Sequence, residues 1–196
     1  MKKRTFLFID GSNFYAAQYA LFGPKKYLHF PSFLTSLKKK FLIVFDRVYF
    51  YASYSPIPKK PTEKEKFYLK NEAFFYQNVK KVKNLTFFKG YRSKTSGKEK
   101  EIDVKLAVDI VHFAHHNEYD SLYFYSADAD FTHALYVAQE LNKKVFILAL
   151  ENRIPMRFVY IFPTYVLSFG KFKKYQIQKK QKIYVISLSQ GCIKTT

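Results

Sequence analysis

Short apolar runs and amphipathic stretches alternate along the chain. Residues 5–9 are uninterrupted apolar sequence that stops at Asp10-Gly11-Ser12-Asn13. That pattern predicts a buried strand delivering the chain into a turn. A helix is predicted over 14–22, closed by Gly23-Pro24, and a second over 31–40, whose last turn, Lys38-Lys39-Lys40, suits a helix C-terminus. The β-branched and aromatic residues 47–52 form the next strand, and 55–61 a proline-rich loop. Thr62 followed by Glu65 has the spacing of a capping box and opens a helix to about residue 80. Residues 85–88 form a third strand, and 91–100 a polar, basic loop. Apolar residues at 102, 106, 110 and 113 set a helix over 102–116. A fourth strand, 122–125, ends at Ser126-Ala127-Asp128-Ala129-Asp130; a helix over 131–141 and a fifth strand over 145–150 follow. Strands that alternate with helices and read as continuous apolar runs predict an α/β fold with a mostly parallel sheet covered on both faces. Such sheets bind ligands beyond the carboxyl ends of their strands.

Charge divides the chain. Its 196 residues carry 34 Lys+Arg and 15 Asp+Glu, a net +19. Residues 171–196 hold seven of those lysines and no acid, so they are set apart as a basic C-terminal tail behind a single domain over 1–170. Within the tail, residues 183–188 read either as one further strand or as a frayed terminus. The charge argues against cationic ligands and for a polyanionic partner, nucleic acid or an anionic surface. Lys, Phe, Tyr and Ile are enriched together, which AT-rich codon usage also produces, so composition alone names no function. Hydrophobic residues make up 48% of the chain, too many for a disordered protein. Cys192 is the single cysteine, which excludes an internal disulfide or a cysteine-ligated zinc finger and fits a reducing compartment. The basic start resembles a signal peptide, but its apolar run ends at Asp10, and no run reaches the roughly 20 residues that span a bilayer. The expectation is a cytoplasmic protein with no membrane partner.

Acids are scarce, so their grouping carries information. Asp10 follows the first strand, Asp128 and Asp130 follow the fourth, and Asp103 opens a helix after the basic loop. All four positions can share the carboxyl edge of a parallel sheet. Converging carboxylates repel one another unless a cation or proton sits between them. Mg²⁺ or Mn²⁺ suits such oxygen donors. Each acid also has a plain structural reading: Asp10 as a turn residue, with Asn13 capping the next helix, Asp103 as a dipole partner, Asp128 and Asp130 as capping acids. Asp109 lies about 120° around the helix from Asp103 and does not readily share its ion. His112 and His116 are one helical turn apart, but mid-helix positions without a nearby cysteine argue against zinc.

Three segments resemble the motifs of the NYN domain, in its LabA-like branch: Phe8-Ile9-Asp10-Gly11-Ser12-Asn13, Glu99-Lys100-Glu101-Ile102-Asp103-Val104-Lys105-Leu106-Ala107-Val108-Asp109, and Tyr125-Ser126-Ala127-Asp128-Ala129-Asp130-Phe131. The resemblance covers residues 4–170. It implies a PIN-like α/β/α sandwich and a Mg²⁺- or Mn²⁺-dependent ribonuclease that leaves a 5′-phosphate. By motif match, Asp10, Asp103 and Asp128 are the metal-binding acids and Asp130 a further acid in the site. Asn13 orients a ligand or water, and Ser12 and Ser126 line the substrate. Three departures stand out. Ala127 and Ala129 replace the usual small neighbours in the third motif. Glu101 occupies a position where relatives commonly carry glycine. No acid occurs near Tyr160–Thr164, where relatives often have one. Arg92, Lys94, Lys98 and Lys100, on the loop before Asp103, are the expected RNA-approach cations. Tyr91 and Tyr175 are candidate stacking residues. A non-catalytic RNA-binding or regulatory protein of the same fold is the alternative, and self-association stays open. A TOPRIM-like or glycosyltransferase reading of Asp-x-Asp fits less well. The first needs a glutamate near strand one, and the second gives the basic tail no purpose.

Overall fold

Six consecutive buried residues make β1 (Thr5–Asp10), and a strand buried on both faces needs cover on both sides. The computed structural model, which describes residues 3–92, 99–170 and 181–195, supplies that cover. The elements run β1, α1 (Gly11–Phe22), β2 (Lys26–Leu28), α2 (Phe30–Phe41), β3 (Arg47–Ala52), α3 (Glu63–Lys80), β4 (Leu85–Lys89), β5 (Tyr91–Arg92) and β6 (Glu99–Lys100). Then follow α4 (Ile102–His115), β7 (Ser121–Tyr125), α5 (Thr132–Glu140), β8 (Lys144–Leu150), β9 (Thr164–Ser168), β10 (Ile183–Ser187) and β11 (Ile193–Thr195).

Seven strands form one sheet in the order β10-β9-β8-β7-β1-β3-β4, and every neighbouring pair is parallel. Period-two alternation divides β1 and β3 between two cores. Leu7, Ile9, Val48 and Phe50 pack under α1, α2 and α3, with Phe14, Phe33 and Phe75. Phe6, Phe8, Tyr49 and Tyr51 pack under α4 and α5, with Ile102, Leu106, Ile110 and Leu135. This is the α/β sandwich with a mostly parallel sheet that the sequence predicts. Local signals behave as expected. Thr62 and Glu65 form a reciprocal capping box on α3, and Pro31 lies at the start of α2.

From β1 the chain steps outward to β3 and β4 on one side, and later to β7, β8, β9 and β10 on the other. The direction therefore reverses between β1 and β7, where open parallel sheets form their ligand crevice. Gly11, the first residue past β1, is required there. A Cβ on it would stand 2.1 Å from the fully buried Phe50 ring.

The helix that Gly11 opens does not lie along its strand. Asn152, just beyond β8, donates its side-chain amide to the Ala17 carbonyl at 2.9 Å, and the Phe22 ring meets Phe169, just beyond β9, at 5.2 Å. α1 thus crosses the carboxyl ends of the strands from β1 to β9. Its 12 residues measure about 18 Å, close to the roughly 14 Å of three inter-strand steps.

The described part of the basic tail is built into this frame. β10 adds the edge strand beside β9, and β11 pairs antiparallel with β2, with Lys194 opposite Tyr27. Of the two readings of 183–188, the strand is the one the fold adopts. Tyr175 lies outside the described residues. No helix among the described residues is long and apolar enough to cross a membrane.

Candidate functional site

Asp10 is both the last residue of β1 and the N-cap of α1. Its Oδ1 accepts the Asn13 backbone N–H at 3.0 Å. Its Oδ2 accepts the Ser126 hydroxyl at 2.8 Å from the end of β7, the adjacent strand. Only 6% of Asp10 is exposed, so these bonds hold a carboxylate that burial alone would disfavour. Tyr125 registers its charge: burial, then the Asp10 carboxylate, raises the phenol pKa and keeps it neutral.

Ser126 continues the chain of contacts. While its hydroxyl donates to Asp10, its oxygen accepts the Asp128 N–H at 3.0 Å. Asp128 Oδ1 then accepts the Asp130 N–H at 3.0 Å, capping the 3-10 turn Ala129–Phe131 that leads into α5. Both Asp128 and Asp130 are exposed. A buried carboxylate, Asp10, and an exposed one, Asp128, are therefore linked through a single serine at the crevice between β1 and β7, while Asp130 follows in the next turn and also lines the groove between α4 and α5. The cap of α1 is Asp10 and not Asn13, which is bound through its backbone N–H; Asp128 caps its turn and Asp130 is a first-turn acid, and a capping carboxylate keeps free lone pairs for this grouping.

The opposite wall comes from β3, β4 and α4. The Ser53 N–H, just past β3, points at Ser12 Oγ at 3.4 Å, and the Gly90 N–H, just past β4, donates to the Ala52 carbonyl at 3.1 Å. Gly90 has no room for a side chain, since a Cβ would stand 2.4 Å from Ile102 and 2.8 Å from Ser53 Oγ. Ile102 is thus wedged against the strand ends. Asp103 lies on the exposed side of the same first turn of α4. The residue before them, Glu101, has φ +70° in the left-handed region. Glycine adopts that backbone freely and glutamate does not, so the backbone here suits the glycine that the family resemblance leads one to expect.

Asp10, Asp128, Asp130, Asn13, Ser12 and Ser126 therefore gather at one end of β1 and β7, and Asp103 enters from α4. Among the described residues, no three His, Cys, Asp or Glu side chains stand close enough to hold one ion. Two buried oxygens at the site, Asn13 Oδ1 and Ser53 Oγ, have no hydrogen-bond partner among the described residues. β5 and β6 pair antiparallel, with Tyr91 opposite Lys100 and Arg92 opposite Glu99; Lys94 and Lys98 lie outside the described residues.

Asp109 has a structural post. Buried at 7% exposure, it accepts the Tyr51 hydroxyl at 2.7 Å and pairs with Lys105 one turn before it. His116 bonds through Nδ1 to the His112 carbonyl at 2.8 Å. Sequence reasoning passed over Ser53 and Gly90. The signal for both was a small polar or glycine residue directly after a buried strand.

Residues 4–166 match the NYN domain. The chain belongs to the NYN domain family. NYN domains are nuclease-like and fall in the PIN-like superfamily, whose nucleases usually use divalent metals. A crystal structure of a Vibrio parahaemolyticus protein of unknown function has the same fold. Its TM-score to this NYN protein is 0.61 at 17% identity, covering 84% of this chain and 92% of that one. Comparison with curated proteins gives no match. The family match ends three residues into β9, so β10 and β11 lie beyond it.

Proposed function

We propose that this NYN protein, of the LabA-like branch, is a Mg²⁺- or Mn²⁺-dependent endoribonuclease acting at the crevice between β1 and β7. The observation that carries the reading is the buried Asp10 carboxylate, fixed by Ser126 and Asn13 where the strand order reverses. A hard divalent ion fits the donor set. Every side-chain donor is oxygen, and the orphaned Asn13 Oδ1 suits a water in the ion's hydration shell. Asp10 and Asp128 would hold the ion, with Asp103 as the third acid the family resemblance implies. When bound, the ion supplies charge for the scissile phosphate and a water of lowered pKa.

The chain's own residues do the rest. Ser126 locks the Asp10 carboxylate and orients the turn that carries Asp128. Asn13 Oδ1 accepts a hydrogen bond from the attacking water, and Asp130 takes up its proton. Ser12 and the lysines before α4 hold neighbouring phosphates. The product carries a 5′-phosphate.

A second reading, RNA binding without turnover, draws on the spacing of the acids, since no three of them group among the described residues. One experiment separates the two: incubate single-stranded RNA with Mn²⁺, with and without EDTA. Wild-type cleavage that is lost in Asp10→Asn, in Asp128→Asn and in EDTA supports the nuclease. If wild type cuts no faster than either variant, the nuclease reading fails, and salt-sensitive RNA binding would then support the binding protein.

A further inference from the structure

α1 joins two chemically opposite places. Its N-terminus carries Asp10. Its C-terminus opens on a hollow of about 610 Å³ walled by Phe22, Lys25, Lys26, Phe169, Gln190 and Lys194. Three lysines and no acid line it. Lys25, Lys26 and Lys194 are exposed, and none pairs with a carboxylate among the described residues. With three lysines and no acid on its wall, the hollow carries uncompensated positive charge, which attracts an anion. His29 registers the same positive field. Burial first, then the Lys194 and Lys81 cations, pushes its pKa down.

One wall of the hollow, Phe169, Gln190 and Lys194, comes from the part of the chain that the family match does not reach, and the other, Phe22, Lys25 and Lys26, from within it. Gln190 bonds the Phe169 carbonyl, and the β11 pairing sets Lys194 beside β2. Its position along the sheet is fixed as well. Phe169 directly follows β9, so the lysines lie at the carboxyl edge that holds Asp10, three strands away. Charge, position and distance all suit a polyanion too long for one site.

We propose that the Lys25–Lys26–Lys194 hollow holds the phosphate backbone of single-stranded RNA whose reacting phosphate lies at Asp10. Helix α1 is the ruler between them. Its length of about 18 Å corresponds to about five nucleotides at the 3.4 Å stacked spacing. The proposal rests on RNA being the substrate, but not on turnover. A strand held at both ends gains affinity from each contact, whereas a strand too short to span them gains from one only.

The test is RNA binding by the full chain with Ca²⁺ in place of Mg²⁺ or Mn²⁺, so that an ion neutralises the carboxylates at Asp10 while cleavage is suppressed. The triple variant Lys25→Ala/Lys26→Ala/Lys194→Ala is compared with Lys38→Ala/Lys39→Ala/Lys40→Ala, which removes equal charge from the exposed end of α2. Circular dichroism checks that both fold. On a strand of roughly 12 nucleotides, the hollow variant should bind about tenfold more weakly at low salt. Its log–log salt slope should flatten by about 2, the value for three lost phosphate contacts. On a strand of about three nucleotides the loss should fall below about twofold, and the α2 variant should stay near wild type on both. Equal loss in both variants would overturn the site, because it would mean general charge attraction. A loss independent of strand length would overturn the ruler. Unchanged RNA binding with lost binding to phosphatidylserine vesicles would assign the lysines to a lipid surface instead. Cleavage that fails while the length-dependent loss stands would sink the nuclease reading and leave this one intact.

Discussion

Single residues at the crevice carry most of the testable chemistry. Glu101 is held at φ +70°, where an L-residue costs roughly 1–2 kcal/mol and glycine almost nothing. Its side chain is exposed and makes no capping bond, so the strain has no local compensation among the described contacts. Urea denaturation should therefore find Glu101→Gly more stable than Glu101→Ala by about 1 kcal/mol. Equal midpoints for the two variants would refute the strain. Ser126→Ala removes the hydroxyl that both donates to Asp10 and accepts from Asp128. Leaving a buried carboxylate one donor short costs about 1–3 kcal/mol, so stability should drop by that amount and RNA cleavage should drop with it. Ser126→Thr, which keeps the hydroxyl, should recover part of both. These acids and serines were legible in the sequence because strand ends and turn residues mark the carboxyl edge. Ser53 and the wedge of Ile102 against Gly90 were not, because they depend on which strands become neighbours.

At the scale of elements, α1 is the piece whose placement matters most. Gly11→Ala would drive a Cβ into the Phe50 ring, which is boxed by Phe30, Phe75, Tyr76 and Phe87. Overpacking of this kind costs about 1–3 kcal/mol, and the urea midpoint should fall accordingly. An unchanged midpoint would mean that Phe50 yields freely. Another contact ties β1 to the approach to β7. Arg4 donates to Asp120 through its backbone N–H and its guanidinium, and the guanidinium bond holds the Asp120 carboxyl below its ordinary value of 3.8. A depressed carboxyl contributes stability above its unfolded pKa and loses it as pH falls through the folded one. The stability gap between wild type and Asp120→Asn should thus be present at neutral pH and close below about pH 3.8. A gap that persists in acid would show that the contact works through shape rather than charge. Strands β1 and β3, with continuous apolar runs, and α3, with its capping box, were readable from sequence. β9 was hidden in an apolar stretch broken by Pro163. The three-residue β2 and β11 have too few positions to show any period, and only their mutual pairing makes them strands.

The whole molecule is built on buried aromatic rings, and this gives it a distinct alkaline limit. Tyr15, Tyr51, Tyr119 and Tyr125 all have pKa values raised by burial above the ordinary 10.0, and Tyr123 is pushed up to about 12. A phenol whose folded pKa is raised binds its proton more tightly in the folded state. Its stabilisation is complete below the unfolded value of 10.0 and declines as pH rises above it. Tyrosinate absorbance of these rings should therefore appear together with loss of helix signal, in one cooperative step above about pH 10. Tyrosinate that titrates smoothly while the helix signal holds would contradict their burial. The pairing of β2 with β11 has a kinetic counterpart. It joins Tyr27 to Lys194, nearly the full length of the chain, whereas β1 needs only residues 121–125 to complete its contact with β7. Contacts of wide sequence separation form late, and a chain emerging from the ribosome folds from its N-terminal side. A newly made molecule therefore assembles its acidic crevice first, and its lysine-lined hollow only once β11 has been synthesised.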